Sequence, residues 1–139
     1  MAKSLPSIFE EIAKAKTKND KKLVLIKYGE NGALKELLKY TFHPDIKFLL
    51  PAGNPPYNSV VDESDNPTYL YGLVRKLYLF IEGGNDDLKQ SRREYLFVEL
   101  LESIHSSEAE LLIQVKDKKI KCRGLTYNLV KETFSDLLP

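Results

Sequence analysis

One cysteine, Cys122, is all the thiol chemistry the 139 residues hold. An internal disulfide is therefore excluded, as is any metal site built on two thiolates, and a lone thiol fits a reducing cytoplasm. The N-terminus has no signal-like pattern. No apolar run approaches the roughly 18 to 20 residues needed to cross a bilayer, so a soluble cytoplasmic protein with no membrane partner is expected. A dominant charge is missing too: 21 basic residues against 20 acidic ones leave a formal net charge of +1. The global field of a dedicated nucleic-acid binder is absent, so any such binding has to be local.

Several chemical motifs also fail. Gly83-Gly84 is followed by Asn85, Asp86 and Asp87, without the lysine and hydroxyl of a phosphate loop, and those acids would repel phosphate. The acidic run Asp62, Glu63 and Asp65 begins like a calcium loop. Pro67, however, stands where glycine must turn the chain, and Leu73 stands where a bidentate glutamate is needed. His43 has no second ligand at metal spacing. Cys122 lies between Lys121 and Arg123, but no histidine is placed to serve it, so it reads as a spectator thiol. With no paired general acid and base either, no enzyme, cofactor or metal is expected.

What the sequence does have is helical periodicity. At this length one compact domain is expected, all-α, an irregular bundle of about seven or eight helices spanning 1–139 with a surface loop at 51–67. Ser4 caps a first helix with Pro6 in its opening turn and Ile8, Phe9 and Ile12 on one side. A second helix buries some of Leu23, Val24 and Ile26 and stops at Gly29. Asn31 caps a third, carrying Leu34, Leu37 and Leu38, which Pro44 ends while opening a short helix Asp45 to Leu50. Asn66 and Pro67 start a fifth helix with a stripe of Leu70, Leu73, Val74, Leu77, Tyr78 and Ile81. A sixth, about Asp87 to Ser103, carries Leu88, Tyr95, Leu96, Leu100 and Ile104.

Ser107 and Glu110 have capping-box spacing and open a helix with Leu111, Leu112 and Val115, expected to stop near Lys119. From Lys116 to Arg123 come four lysines and one arginine against one aspartate; Gly124 then breaks the chain before Thr126, the N-cap of a last helix. Lys119, Lys121 and Arg123, with Gly124, Leu125, Thr126 and the amides of that helix start, form a candidate phosphate cradle. An ordinary helix connection with solvated lysines fits the same residues.

Two other basic groups are candidates. Lys14, Lys16, Lys18, Lys21 and Lys22 surround Thr17 and Asn19, and of these Lys18, Lys21 and Lys22 are candidate phosphate contacts. Arg92 and Arg93 lie near the start of the sixth helix, where cations oppose the helix dipole and so need some other reason, an anionic partner being one.

The order EAELLIQVKDKKIKC, then Gly124, then a hydroxyl residue opening a helix that closes in an aromatic and LLP, resembles the end of the N-terminal DNA-binding domain of ATP-dependent DNA ligases, especially those of T4-like bacteriophages. The segment NGALKELLKYTFHPDIKFLL is similar to that domain as well, and the two cover about half the chain. Arg123 departs from the pattern as an extra residue between Cys122 and Gly124. The resemblance implies a stand-alone, non-catalytic phage protein that grips double-stranded DNA, nicked or intact, without reading sequence. No Lys-x-Asp-Gly nucleotidylation motif occurs, so ligase activity is not expected. The alternative is an interaction module that engages a host or phage replication, transcription or defence protein through its tyrosines.

Overall fold

The first helix opens as its residues dictate. Ser4 accepts a hydrogen bond from the Ser7 amide, Pro lies in the first turn, and Leu5, Ile8, Phe9 and Ile12 turn inward along α1 (Leu5–Lys14). The structure, a computed structural model, describes residues 4–58 and 70–139. Among these, five further α-helices follow: α2 (Lys18–Lys27), α3 (Gly32–Phe42), α4 (Gln90–Glu102), α5 (Ser106–Lys116) and α6 (Tyr127–Thr133). Two 3-10 segments, Leu70–Gly72 and Val74–Phe80, sit between α3 and α4. No strand is present among the described residues; one isolated antiparallel bridge joins Phe48 to Ile81. The protein is an all-α bundle. Side chains from every helix, from Ile8 and Leu25 to Leu101, Leu112 and Val130, enter one hydrophobic core.

Where the chain departs from its helical expectation, tertiary contacts explain the change. Asp45 to Leu50 is not a helix. Leu49 donates its amide to Phe80 O at 2.8 Å and Lys47 O accepts from Glu82 at 2.8 Å, which holds this segment extended beside 80–82. The stretch 74–80 follows a period of three rather than 3.6. In a 3-10 helix residues three apart eclipse, so Val74, Leu77 and Phe80 line up and are buried, while Tyr78 is left 48 % exposed. The expected start of that helix at Asn66 and Pro67, the acidic run and much of the 51–67 loop lie outside the described residues.

Two helices face the core differently from their apolar patterns. In α2 the inward residues are Lys21 and Leu25, and Leu23 and Ile26 face solvent. In α4 they are Arg93, Phe97, Leu100 and Leu101, with Tyr95 outside. Helix α5 is capped by His105, whose Nδ1 accepts the Ser107 amide at 3.1 Å, and not by Ser107. Its buried Glu108 accepts from the Leu70 amide at 3.2 Å, joining α5 to the 3-10 region.

Candidate functional site

Helix α5 ends three residues earlier than its charge pattern suggests, at Lys116, because the next residues reverse the chain. Asp117 is the C-cap, and Lys118 adopts a left-handed conformation with φ of 59°. Gln114 then organises the turn. Its backbone oxygen accepts the Lys119 amide and its side-chain oxygen accepts the Lys121 amide, both at 2.9 Å. Leu125 donates to Cys122 O at 3.1 Å, so its amide closes the turn and is not a donor for a phosphate cradle. Thr126 caps α6 as expected, its hydroxyl oxygen accepting the Leu129 amide. With only seven residues in α6, the exposed side chains of the turn, rather than a helix dipole, have to carry any anion binding.

Those side chains divide into two sets. The Lys116 ammonium is buried and donates to Pro51 O at 2.7 Å, Gly53 O at 3.0 Å and the Asp117 carboxylate at 2.6 Å. Lys118 donates to His43 O and Ile46 O, each at 2.6 Å, and burial lowers its pKa. Both lysines hold distant loops. Lys119, Lys121 and Arg123 point to solvent and make no ion pair among the described residues.

The second basic stretch meets the first through Lys21. Its ammonium sits on the carboxyl end of α1, donating to Ile12 O at 2.9 Å and Ala15 O at 2.7 Å, with Ala13 O at 3.4 Å. Gly124 packs on the same side chain. The φ of +77° favours glycine, and a Cβ there would lie 2.5 Å from the Lys21 Cε, so any other residue would also have to push that side chain aside. Ala15 O and Gly124 thus both lie against the Lys21 side chain, and Lys14 and Lys16, which flank Ala15 in the chain, are exposed. Lys21 is 7 % exposed with its protons directed at carbonyls, which removes it from the phosphate contacts expected of it.

The family model of DUF6433, described as a family of unknown function, matches residues 8–122. The chain belongs to DUF6433. No curated protein matches it, and no solved structure does. The DUF6433 match takes in Lys14, Lys16, Lys119 and Lys121 but stops short of Arg123, Gly124 and α6.

The remaining expected contacts of this DUF6433 chain fall elsewhere. Lys18 and Lys22 converge on Glu132 of α6, at 2.9 and 3.0 Å, and their hydrogen bonds hold that carboxyl below its usual range. Both cations are therefore already partnered. Arg93 is buried and ties α4 to the segment before it, donating to Leu79 O, Asn85 O and Gln90 Oε1. This explains a cation in the first turn of a helix without any anionic ligand. Arg92 is exposed and lies over the Tyr95 ring, 5.2 Å from its centroid. Cys122 donates to Phe9 O at 3.2 Å, and burial pushes its thiol up to about 11 against the opposing charge of Lys21. At neutral pH it is a protonated packing group. Among the described residues no cluster of three His, Cys, Asp or Glu side chains could hold a metal ion. No helix there is long and apolar enough to cross a membrane.

Proposed function

We propose that this chain binds duplex DNA through its phosphates, without reading sequence and without catalysis, in the manner of the ligase DNA-binding domain that its tail resembles. The observation that carries the reading is the sorting of cations at the 116–123 turn. Lys116 and Lys118 are consumed by carbonyl oxygens, whereas Lys119, Lys121 and Arg123 are left exposed and make no ion pair among the described residues. Such a group can release condensed counterions from a phosphate backbone, which supplies sequence-independent affinity even when net charge is near zero. Glu10 and Glu110 lie near Lys121 and limit the surface on that side.

The test is fluorescence anisotropy of a nicked duplex across a salt series, for wild type and for Lys119→Ala/Lys121→Ala/Arg123→Ala. The slope of log affinity against log salt is expected to fall by roughly 0.9 per cation removed, equally for unrelated duplex sequences, with the fold unchanged. Equal affinities and slopes would sink the assignment. A protein partner is the second reading, favoured by Leu23 and Ile26, which are 63 % and 59 % exposed on α2. Wild type that ignores duplex DNA even at low salt would favour it.

A further inference from the structure

A groove of about 420 Å³ lies between the proline-rich segment 50–56 and helix α4, on residues that the DNA reading does not use. Pro51, Pro55 and Pro56 form one wall, and Tyr95, Phe97 and Val98 form the other and the floor. Phe97 is itself braced from behind by Phe80, edge-on at 5.3 Å. Volume and lining match those of small-molecule sites, which are mostly apolar with a few placed polar groups.

The wall is held in place before any ligand arrives. Lys116 grips Pro51 O and Gly53 O, and the Asp117 carboxylate accepts the Gly53 amide at 3.2 Å. Beyond the prolines the Asn58 amide donates to the Glu102 carboxylate at 2.7 Å, and at the other end Gln90 Nε2 donates to Leu49 O at 2.7 Å. The orientation of that amide is set by Arg93, a pure donor, which claims the Gln90 oxygen at 2.7 Å and so turns the NH₂ toward Leu49 and toward Glu94 Oε2 at 3.1 Å. A wall fixed at both ends does not have to be ordered on binding, which lowers the cost of association.

Two charged residues line the groove, and they are not equivalent. Lys116 places three acceptors around its three ammonium protons, one of them the Asp117 carboxylate, so it has nothing left to donate. Glu94 accepts one hydrogen bond, from neutral Gln90, and makes no ion pair among the described residues. Of the neighbouring cations, Arg92 covers the Tyr95 ring and Arg93 directs its guanidinium to Leu79 O, Asn85 O and Gln90 Oε1; neither is part of the lining. The uncompensated charge on the wall is therefore negative, beside apolar and aromatic surface.

We propose that this groove binds a small organic cation, an aryl- or alkylamine whose apolar body lies against Tyr95, Val98 and the prolines while its ammonium meets the Glu94 carboxylate. A charge-assisted hydrogen bond of this kind is about twice as strong as a neutral one and selects for the cation.

The probes are 4-phenylbutylamine, the neutral 4-phenylbutan-1-ol and the anionic 4-phenylbutyrate, titrated into the full ¹⁵N-labelled chain at neutral pH. Saturable shifts are expected at the amides of Gly53, Tyr95 and Val98 with the amine, at about 0.1 to 1 mM as suits a ligand of this size. The carboxylate should bind at least about tenfold more weakly. Glu94→Gln should weaken the amine about fivefold or more while leaving the alcohol within about twofold. Val98→Phe, which fills the groove, should abolish all three. Absence of saturable shifts with any probe, binding of the carboxylate as tight as the amine, or equal loss of amine and alcohol in Glu94→Gln would each overturn the proposal.

Discussion

The stretches 14–22 and 116–123 each carry five cations, and the fold treats them differently. In the first, one lysine goes inward: Lys21 closes the end of the helix just before it, reaching carbonyls six to nine residues back. Lys18 and Lys22 are neutralised on the surface by Glu132. In the second stretch two lysines go inward, and their carbonyl partners are 63 to 75 residues away. Among the described residues no carboxylate forms an ion pair with the three that remain outside. Spacing along the chain does not separate these roles. What decides them is whether unsatisfied carbonyl oxygens at a helix end or loop lie within reach of the ammonium, because a buried lysine is tolerable only when its protons have acceptors.

Substitutions at the junction of the two stretches probe that distinction. Gly124→Val should be the most damaging, since it combines a positive φ with a 2.5 Å approach to Lys21 and so displaces the lysine that closes α1. We expect a loss of about 3 kcal/mol, read as a fall in melting temperature, whereas wild-type-like melting would show that the turn can adopt another conformation. Lys21→Met keeps the apolar stem but strips the carbonyls of their donor, and about 1 to 3 kcal/mol should be lost. Lys119→Met should change stability by no more than about 0.5 kcal/mol. Equal effects of Lys21→Met and Lys119→Met in urea unfolding would erase the difference drawn between inward and outward lysines.

Local signals in the sequence proved readable where both partners lie within one turn of helix. Ser4, Asn31 and Thr126 cap the helices assigned to them because the amides they accept are two or three residues ahead. His105 displaced Ser107 as a cap because both present an acceptor at the same helix start, and the choice rests on where the chain enters from α4. The face of α2 was misread since Lys21 counts as polar in any hydrophobic pattern, yet its stem and ammonium are buried. The 74–80 segment carries a three-residue period that a search for 3.6 absorbs into an ordinary helix. The basic turn could be located but not sorted. Lys116 and Lys118 resemble Lys119 and Lys121 in everything except contacts to residues 43–53, which sequence spacing does not reveal. The groove by Tyr95 went unread for the same reason, its two walls being some forty residues apart.

The clasp of Lys116 and Asp117 on Gly53 also orders the chain in time. Closing a loop of about 65 residues costs roughly 2 kcal/mol more in chain entropy than the short loop that Lys21 closes. The α1–α2 corner can therefore assemble early from near neighbours, while the clasp waits until α3 and α5 are already side by side. It should also open first. Native-state hydrogen exchange at the Gly53 amide, whose acceptor is the Asp117 carboxylate, is expected to occur by local opening at a lower free energy than exchange in the core of α5.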